Sequence, residues 1–256
     1  MPLTTFEMPS LLLGVIIISA SIILSVSALL AVRRRVPHHR MKPHNDIAGP
    51  MFETMGVAYA VLLAFIVVVV WQNFDKARAN VEREANCVTD MVRDSQSFSQ
   101  GSRQHIQGLI RQYAELVSGE EWAAMAKGRA SARVSGVLNK MWDFYGSYEP
   151  ATISERIFFE ESVRHLDEVG ELRRMRLFDA KSGLHPVLWF VLITGGVSIM
   201  LFALFFGAEN LRSQVLMIAL LSVSISLILF LILVFDYPFS GDVSVSADAF
   251  KEMLQY

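Results

Sequence analysis

Four long stretches of this sequence are almost purely apolar, and they constrain the fold more than any other feature. They cover residues 11–32, 51–71, 187–206 and 215–235. About 20 apolar residues in a helix cross a bilayer core about 30 Å thick. Backbone polar groups in hydrocarbon must hydrogen-bond within the protein, so each stretch is expected to be a helix. We therefore predict an all-α membrane protein with four transmembrane helices and the lipid bilayer as a partner.

The first stretch is predicted to remain as an anchor rather than to be removed as a signal peptide. A secretory signal carries positive charge before a short apolar run. Here Arg33, Arg34 and Arg35 follow the run directly, and no Lys or Arg precedes it.

The remaining composition narrows the class of protein. The chain of 256 residues is 53% hydrophobic, and its net charge of −2 argues against a nucleic-acid partner. Its single cysteine, Cys87, excludes an intrachain disulfide and is predicted to be a buried packing residue. The sequence contains no nucleophile elbow, HExxH motif or phosphate-binding glycine loop. We therefore expect a protein that is not an enzyme and that needs no cofactor or metal.

Residues 72–186, between the second and third spans, are predicted to form a helical soluble domain. They carry 33 of the chain's 48 formal charges, which places them in water. Residues 57–100 contain neither Gly nor Pro, so the second span should continue into this domain as one helix of about 65 Å. The spans at 11–32 and 51–71 then form a first transmembrane pair (1–71), and those at 187–206 and 215–235 a second (187–235).

Local patterns predict the other helices of this domain. Helices are expected over 102–117, ending at Gly119, and over 120–127 and 130–145. Thr152 and Glu155 form a capping box that starts another helix. Pro186 suits the first turn of the third span. The capped helix carries an apolar stripe made of Ile157, Val163, Leu166, Val169, Leu172 and Met175.

The tail, residues 236–256, follows the fourth span directly. Asp236 ends the hydrocarbon, residues 240–242 read as a turn, and "VSVSAD" alternates like a short strand or extended arm. Two interpretations are open: the tail docks on the helical domain, or Asp236 and Asp242 supply oxygen ligands to a cation.

Positive charge in the short loops predicts the orientation in the inner (plasma) membrane. Lys and Arg in short loops stay cytoplasmic, whereas long loops count little. The count places loop 33–50 in the cytoplasm, and both termini and the soluble domain outside it. The positive residues of that loop are Arg33, Arg34, Arg35, Arg40 and Lys42, and the short loop after the third span adds Arg212.

Polar residues at the ends of the second span are candidates for an ion path. Glu53 lies near its start, and it either faces the membrane interface or lines a pathway. Gln72 and Asp75 follow Trp71 at its other end, as a solvated face or as a polar ring at a pore mouth. His44 and Asp46 offer only two metal ligands at this spacing, which is a weak pattern.

Several of these motifs together resemble the bacterial bestrophin-like domain family. They are the basic loop with "HND", the exit "WQNFDKAR", the segment "GLHPVLWFVLITGG" and the terminal "DYPFSGDVSVS". The similarity covers nearly the whole chain. Bestrophins are pentameric anion channels, gated by calcium in animals. Here only Asp242 follows the "PFSG" segment closely, where the bestrophin calcium clasp has a run of acidic residues.

The resemblance implies a bestrophin-like fold, in which the second span lines an ion path. Our first hypothesis is a homo-oligomer, a pentamer in the resemblance, that conducts small inorganic ions past Glu53, Tyr59, Gln72 and Asp75. Our second hypothesis is a non-conducting sensor or scaffold that acts through its helical domain. Bestrophins hold the soluble domain in the cytoplasm, which is the opposite of the charge count.

Overall fold

The computed structural model describes residues 9–36 and 45–255. In these residues the regular structure is helical, with no strand, as predicted. The predictions for Arg40, Lys42 and His44 concern residues outside those described. The α-helices are α1 Ser10–Arg35, α2 Asn45–Asp94, α3 Gln100–Leu116, α4 Trp122–Met125, α5 Ala132–Ser147, α6 Ile153–Asp179, α7 Pro186–Leu204, α8 Leu211–Phe235 and α9 Asp248–Met253.

The chain divides into two compact units. The first contains the described residues up to Gln72 together with Leu184–Asp236. The second contains Asn73–Gly183 and the residues from Tyr237 onward. The helix α2 contributes to both. Four helices, α1, α2, α7 and α8, are long and apolar enough to cross a membrane, in agreement with the number of predicted spans.

In the first unit, aromatic contacts join α2 to the other spans. Phe52 stacks on Phe202 of α7 with ring centroids 5.8 Å apart. Trp71 meets Phe235 of α8 edge-on at 5.2 Å. Ser21 of α1 and Ser222 of α8 share a hydrogen bond of 2.7 Å. Apolar packing and a few polar contacts therefore hold the spans together, as expected where lipid supplies no hydrophobic drive between helices.

The helices α1 and α2 extend beyond their apolar stretches, whereas α7 ends at Leu204, two residues before the end of its predicted stretch. The helix α1 continues through all three arginines to Arg35, where positive charge suits the C-terminal end of the helix dipole. The helix α2 is described from Asn45 and contains Pro50 near its beginning, whereas the predicted span began at residue 51. It ends at Asp94, so the predicted long helix over 57–100 stops six residues early. A single 3₁₀ turn, Ser95–Ser97, follows it.

The second unit is a helical bundle around an aromatic and aliphatic core. Fully buried core residues include Ile106 and Tyr113 of α3, Met141 of α5 and Leu166 of α6. Cys87 of α2 is buried as predicted, and burial raises the pKa of its thiol to about 12.

The predicted capping box is present with a small change. Thr152 accepts a hydrogen bond from the backbone N–H of Glu155 at 3.1 Å. The Glu155 carboxylate accepts one from the N–H of Ala151 at 2.6 Å, one residue before the position that the motif predicts. Pro186 opens α7, as predicted.

Gly119 does not end α3. Residues Val117–Glu121 instead form a π-helical turn that leads directly into α4. A π turn accommodates one extra residue in a helix and is found mostly as a single turn. The chain reverses later, at Gly128, which has a φ of 65°.

The tail forms no strand. Pro238 accepts a hydrogen bond from the N–H of Val245 at 2.8 Å, Gly241 adopts a φ of 83°, and a short helix, α9, follows. Within the second unit, Trp122 donates to the carbonyl of Val245 at 3.1 Å and its ring contacts Phe250. The tail therefore docks on the helical domain, which was the first of the two interpretations.

Candidate functional site

The membrane part of α2 has one buried face. Tyr59, Leu63, Ile66 and Val70 recur every three or four residues and are at most 8% exposed. This spacing places them on one side of the helix, against the rest of the first unit.

The opposite face of α2 is exposed along its whole membrane length. Val57, Val61, Phe65 and Val68 are 50–68% exposed and recur at the same helical spacing. Gln72, four residues after Val68, is also exposed and continues this row. We call these five positions the α2 row. An apolar row that ends in a polar side chain can line a narrow passage in an assembly of copies.

Two other candidate pathway residues lie near the ends of this row. Glu53 is exposed, and no ion pair to it is present among residues 9–36 and 45–255. Asp75, three residues after Gln72, accepts a hydrogen bond from Arg78 at 2.6 Å, and both side chains are about half exposed. An ion pair is therefore present at this exit, on the solvated face that was one of the two interpretations.

Tyr59 does not lie on the α2 row. Its hydroxyl donates to the carbonyl of Leu192 in α7 at 2.8 Å. Its ring packs so closely on Gly195 that a Cβ added there would lie 2.7 Å from the ring. Tyr59 therefore does not line the exposed face, because packing inside the unit takes up the whole side chain.

Asn45, the first described residue of "HND", anchors the loop between α7 and α8. Its side-chain amide donates to the carbonyl of Gly207 at 2.9 Å, and its side-chain oxygen accepts from the Gly207 N–H at 3.0 Å. This reciprocal pair imitates backbone pairing and fixes the loop to the beginning of α2. The motif therefore has a structural role in the first unit.

Asp236 is engaged by two donors and is not an open cation ligand. Its carboxylate accepts from the backbone N–H of Leu184 at 2.6 Å and from the Trp189 indole at 3.0 Å. Asp242 is exposed in the second unit. Among the residues that the structure describes, no cluster of three or more His, Cys, Asp or Glu side chains is arranged for a metal ion. Asp236 instead ties the end of α8 to the beginning of α7.

A buried charge cluster, which the sequence analysis did not anticipate, lies in the second unit. Arg176 is fully buried and donates to both oxygens of Glu84, at 2.7 and 2.9 Å, and to Glu121 at 3.1 Å. Arg173 donates twice to Glu121, at 3.0 and 2.6 Å. The Tyr113 hydroxyl donates to Glu84 at 2.7 Å. We call these five residues the buried charge cluster.

Mutual pairing keeps both charge signs ionised in this interior. Burial alone would raise the pKa of Glu121, but the hydrogen bond from Arg173 and the charge of Arg176 hold that pKa below its usual value. Burial would lower the pKa of Arg176, and the neighbouring Glu84 carboxylate raises it instead. Burial and the Glu84 charge raise the pKa of Tyr113 well above its usual value, so it stays a neutral donor.

Aromatic rings complete the surroundings of Arg176. Its guanidinium carbon lies 5.2 Å from the ring centroid of Trp122 and 6.0 Å from that of Phe250. The π turn places Glu121 within reach of both arginines. The cluster thus joins α2, α3, the π turn and α6, with two carboxylates balancing two guanidinium groups. Its chemistry suits holding these elements together.

Comparisons with known proteins agree with this architecture. The family model of the bestrophin-like domain matches residues 19–250. The fold is similar to that of a point variant of a bacterial bestrophin homologue from Klebsiella pneumoniae, with a TM-score of 0.70, 12% identity and coverage of 94% of this chain and 96% of that chain. Another structure of the Klebsiella homologue gives a TM-score of 0.68 at 12% identity, covering 94% of this chain and 95% of the other. No curated protein sequence matches the chain.

Proposed function

We propose, because this chain belongs to the family defined by the bestrophin-like domain, that it forms a homo-oligomer that conducts or transports small inorganic ions across the membrane. The observation that carries the proposal is the α2 row, an exposed apolar face that runs the membrane length of α2 and ends at Gln72. In this proposal copies of α2 surround the ion path.

The geometry of a closed ring supports this arrangement. Homo-oligomers with rotational symmetry place the same face of each copy toward one axis. An apolar row at such an axis forms a hydrophobic constriction, and polar side chains at its ends meet hydrated ions. Glu53, Gln72 and Asp75 are the proposed mouth residues. We propose five subunits, the number in the bestrophins that the sequence resembles.

Phe65 provides the test, because it has the largest side chain in the α2 row. We expect Phe65→Ala to increase the single-channel conductance of the reconstituted protein severalfold, since it widens the constriction. Phe190→Ala is the matched control, because Phe190 of α7 is 69% exposed and Phe65 is 68% exposed. This control should leave the conductance unchanged. Recordings in planar bilayers, with chloride and sodium gradients in turn, measure both effects and the ion preference.

The outcome against this proposal is specific. Intact oligomers, with the subunit number counted by single-particle imaging, that pass no chloride, nitrate, sodium or potassium current would contradict it. Equal changes in Phe65→Ala and Phe190→Ala would exclude the α2 row as the path.

A second candidate function has one observation in its favour. Ile153, Ile157 and Phe158, at the beginning of α6, are 82%, 56% and 40% exposed on the water-soluble unit. Exposed apolar patches often mark protein interaction sites. A non-conducting sensor or scaffold would bind its partner through this surface. This second function predicts that the recordings proposed above show no current.

The orientation in the membrane remains a proposal based on the short-loop charges. With loop 33–50 in the cytoplasm, reporter tags at both chain ends and within residues 100–150 are expected to report the non-cytoplasmic side. All three tags in the cytoplasm would reverse the orientation to that of bestrophins. Tags on different sides would contradict the four-span topology itself.

A further inference from the structure

In the part of the chain that the structure describes, Arg33, in the last turn of α1, donates hydrogen bonds to two neutral acceptors. Its Nε donates to the side-chain oxygen of Gln214 at 2.7 Å, and its Nη2 donates to the carbonyl of Ala208. Over residues 9–36 and 45–255, no carboxylate forms an ion pair with it. Arginine stays charged in proteins, and a half-buried charge is stabilised by a counter-charge. Among the described residues, Arg33 therefore carries a positive charge at the end of α1 without a paired carboxylate.

An apolar groove adjoins the two residues that accept hydrogen bonds from Arg33. Its volume is about 320 Å³. Gln214 and Ala208, the two residues that accept hydrogen bonds from Arg33, both line it. The remaining lining is apolar and comes from α2, α7 and α8 and the residues after α7. It includes Phe52, Ala203, Phe206, Met217 and Leu221.

We propose that this groove binds an anionic phospholipid, with an acyl chain along the apolar lining and the phosphate at Arg33. The groove lies on the transmembrane unit, where acyl chains are the surrounding solvent. Basic pockets between transmembrane helices are known to bind anionic headgroups. Arg212, two residues before Gln214, is exposed and adds a second positive charge to this end of α8.

Charge complementarity favours this occupant over the alternatives. A zwitterionic lipid brings an ammonium group that offsets its phosphate. A second copy of the chain that met the groove with apolar side chains would supply no negative charge to Arg33. Guanidinium groups bind phosphate oxygens through several N–H donors, and Arg33 has five in total. The site does not depend on whether the protein conducts ions.

The headgroup part of the proposal is tested with the full chain in detergent by native mass spectrometry. The two probes are dioleoylphosphatidylglycerol and dioleoylphosphatidylcholine, added separately. We expect the anionic lipid to bind at least about fivefold more tightly, the preference that a single nearby arginine gives. Arg33→Gln should reduce the preference about fivefold, and exposed Arg212 accounts for any remainder. Arg35→Gln removes an exposed charge two residues later in the same helix and should retain most of it.

The groove part of the proposal is tested by filling the cavity. Met217→Trp places an indole in the lining and should weaken the binding of both lipids severalfold. Leu220→Trp is the matched control, because Leu220 is 58% exposed and Met217 is 56% exposed, and Leu220 does not line the groove. Met217→Trp also keeps the proposal testable if Arg33→Gln does not fold.

Three results would overturn the proposal. Equal affinity for the two lipids would remove the role of Arg33. Displacement of the anionic lipid by millimolar inorganic phosphate would indicate a site for free anions. A change in oligomeric state in Met217→Trp, with lipid binding intact, would identify this face as an interface between copies.

Discussion

Replacing Arg176 with methionine is expected to destabilise the second unit by about 3–5 kcal/mol. The change removes the partner that donates to both oxygens of Glu84, and it leaves that carboxylate in a fully buried position. Tyr113 still donates to Glu84, but a single neutral hydrogen bond does not balance a buried charge. A lower midpoint in thermal unfolding of the full chain in detergent measures the loss.

An exposed ion pair provides the control for this substitution. On α2, Nη1 of Arg93 lies 3.0 Å from Oδ1 of Asp90, and the Arg93 side chain is 76% exposed. Arg93→Met should cost less than about 1 kcal/mol, because exposed pairs are screened by water. Replacing Glu84 and Arg176 together by methionine should recover part of the loss, since no unpaired charge stays buried at Glu84. If Arg176→Met were as stable as Arg93→Met, the cluster would contribute no more than a surface pair.

Gly195→Ala is expected to destabilise the first unit by about 1–3 kcal/mol, the usual cost of overpacking a core. The new Cβ would lie 2.7 and 2.8 Å from two ring atoms of Tyr59. The ring cannot move aside freely, because it is buried and its hydroxyl is bonded to Leu192. Thermal unfolding in detergent should show a lower midpoint together with a change in the environment of Tyr59.

Gly56→Ala is the control for the glycine substitution. Gly56 lies on α2, and an added Cβ there has no neighbour within 4 Å. We expect no loss of stability from it, since alanine favours helices more than glycine does. In a Tyr59→Ala background, Gly195→Ala should lose most of its cost, because the clashing ring is absent. Additive costs in this double-mutant cycle would show that the two residues do not interact.

The existence of the spans was predictable, but their ends were not. Hydropathy indicates which residues tolerate hydrocarbon, and four stretches of such residues are long enough to cross the bilayer. All four spans were therefore predictable. A helix also continues where its backbone bonds are satisfied outside the apolar zone. The three arginines after residue 32 therefore extend α1, and the Asn210 side chain starts α8 at Leu211 by accepting the N–H groups of Arg212 and Ser213. Neither effect changes the hydropathy of the sequence.

The stripe predicted for α6 was only partly correct. Leu166, Val169 and Leu172 are buried, but Ile157 and Met175 are 56% and 39% exposed. The buried face continues through Arg173 and Arg176 instead, and their partners lie 52 to 92 residues away. The local pattern did contain an indication, because both arginines fall at helical spacing from Leu166 and Val169. Their carboxylate partners were not predictable, because tertiary pairing leaves no local pattern.

The site predictions differ in the same physical way. Gln72 is exposed and Asp75 is about half exposed at the end of the second span. Their exposure was predictable because it requires only that the helix leaves the apolar zone there. Tyr59 was placed on the path by the channel hypothesis, and Asp236 was named as a cation ligand from its chemistry. Their actual partners, the carbonyl of Leu192 and the donors of Leu184 and Trp189, come from other segments. A polar side chain therefore indicates that a hydrogen bond is needed at each position, but it does not identify the partner residue.

The extra residue in the turn Val117–Glu121 affects how this chain is aligned with its relatives. One residue inserted into a regular α-helix would rotate everything that follows by about 100°, whereas the wider π turn absorbs the extra residue within a single turn. At 12% identity, the two amino-acid sequences alone do not reveal the position of such an insertion. An alignment of this family must open a single-residue gap between Val117 and Glu121 for every relative whose helix is regular there. Without that gap, Glu121 is aligned with a residue that is not its structural counterpart. The alignment then gives a false account of whether relatives keep this carboxylate.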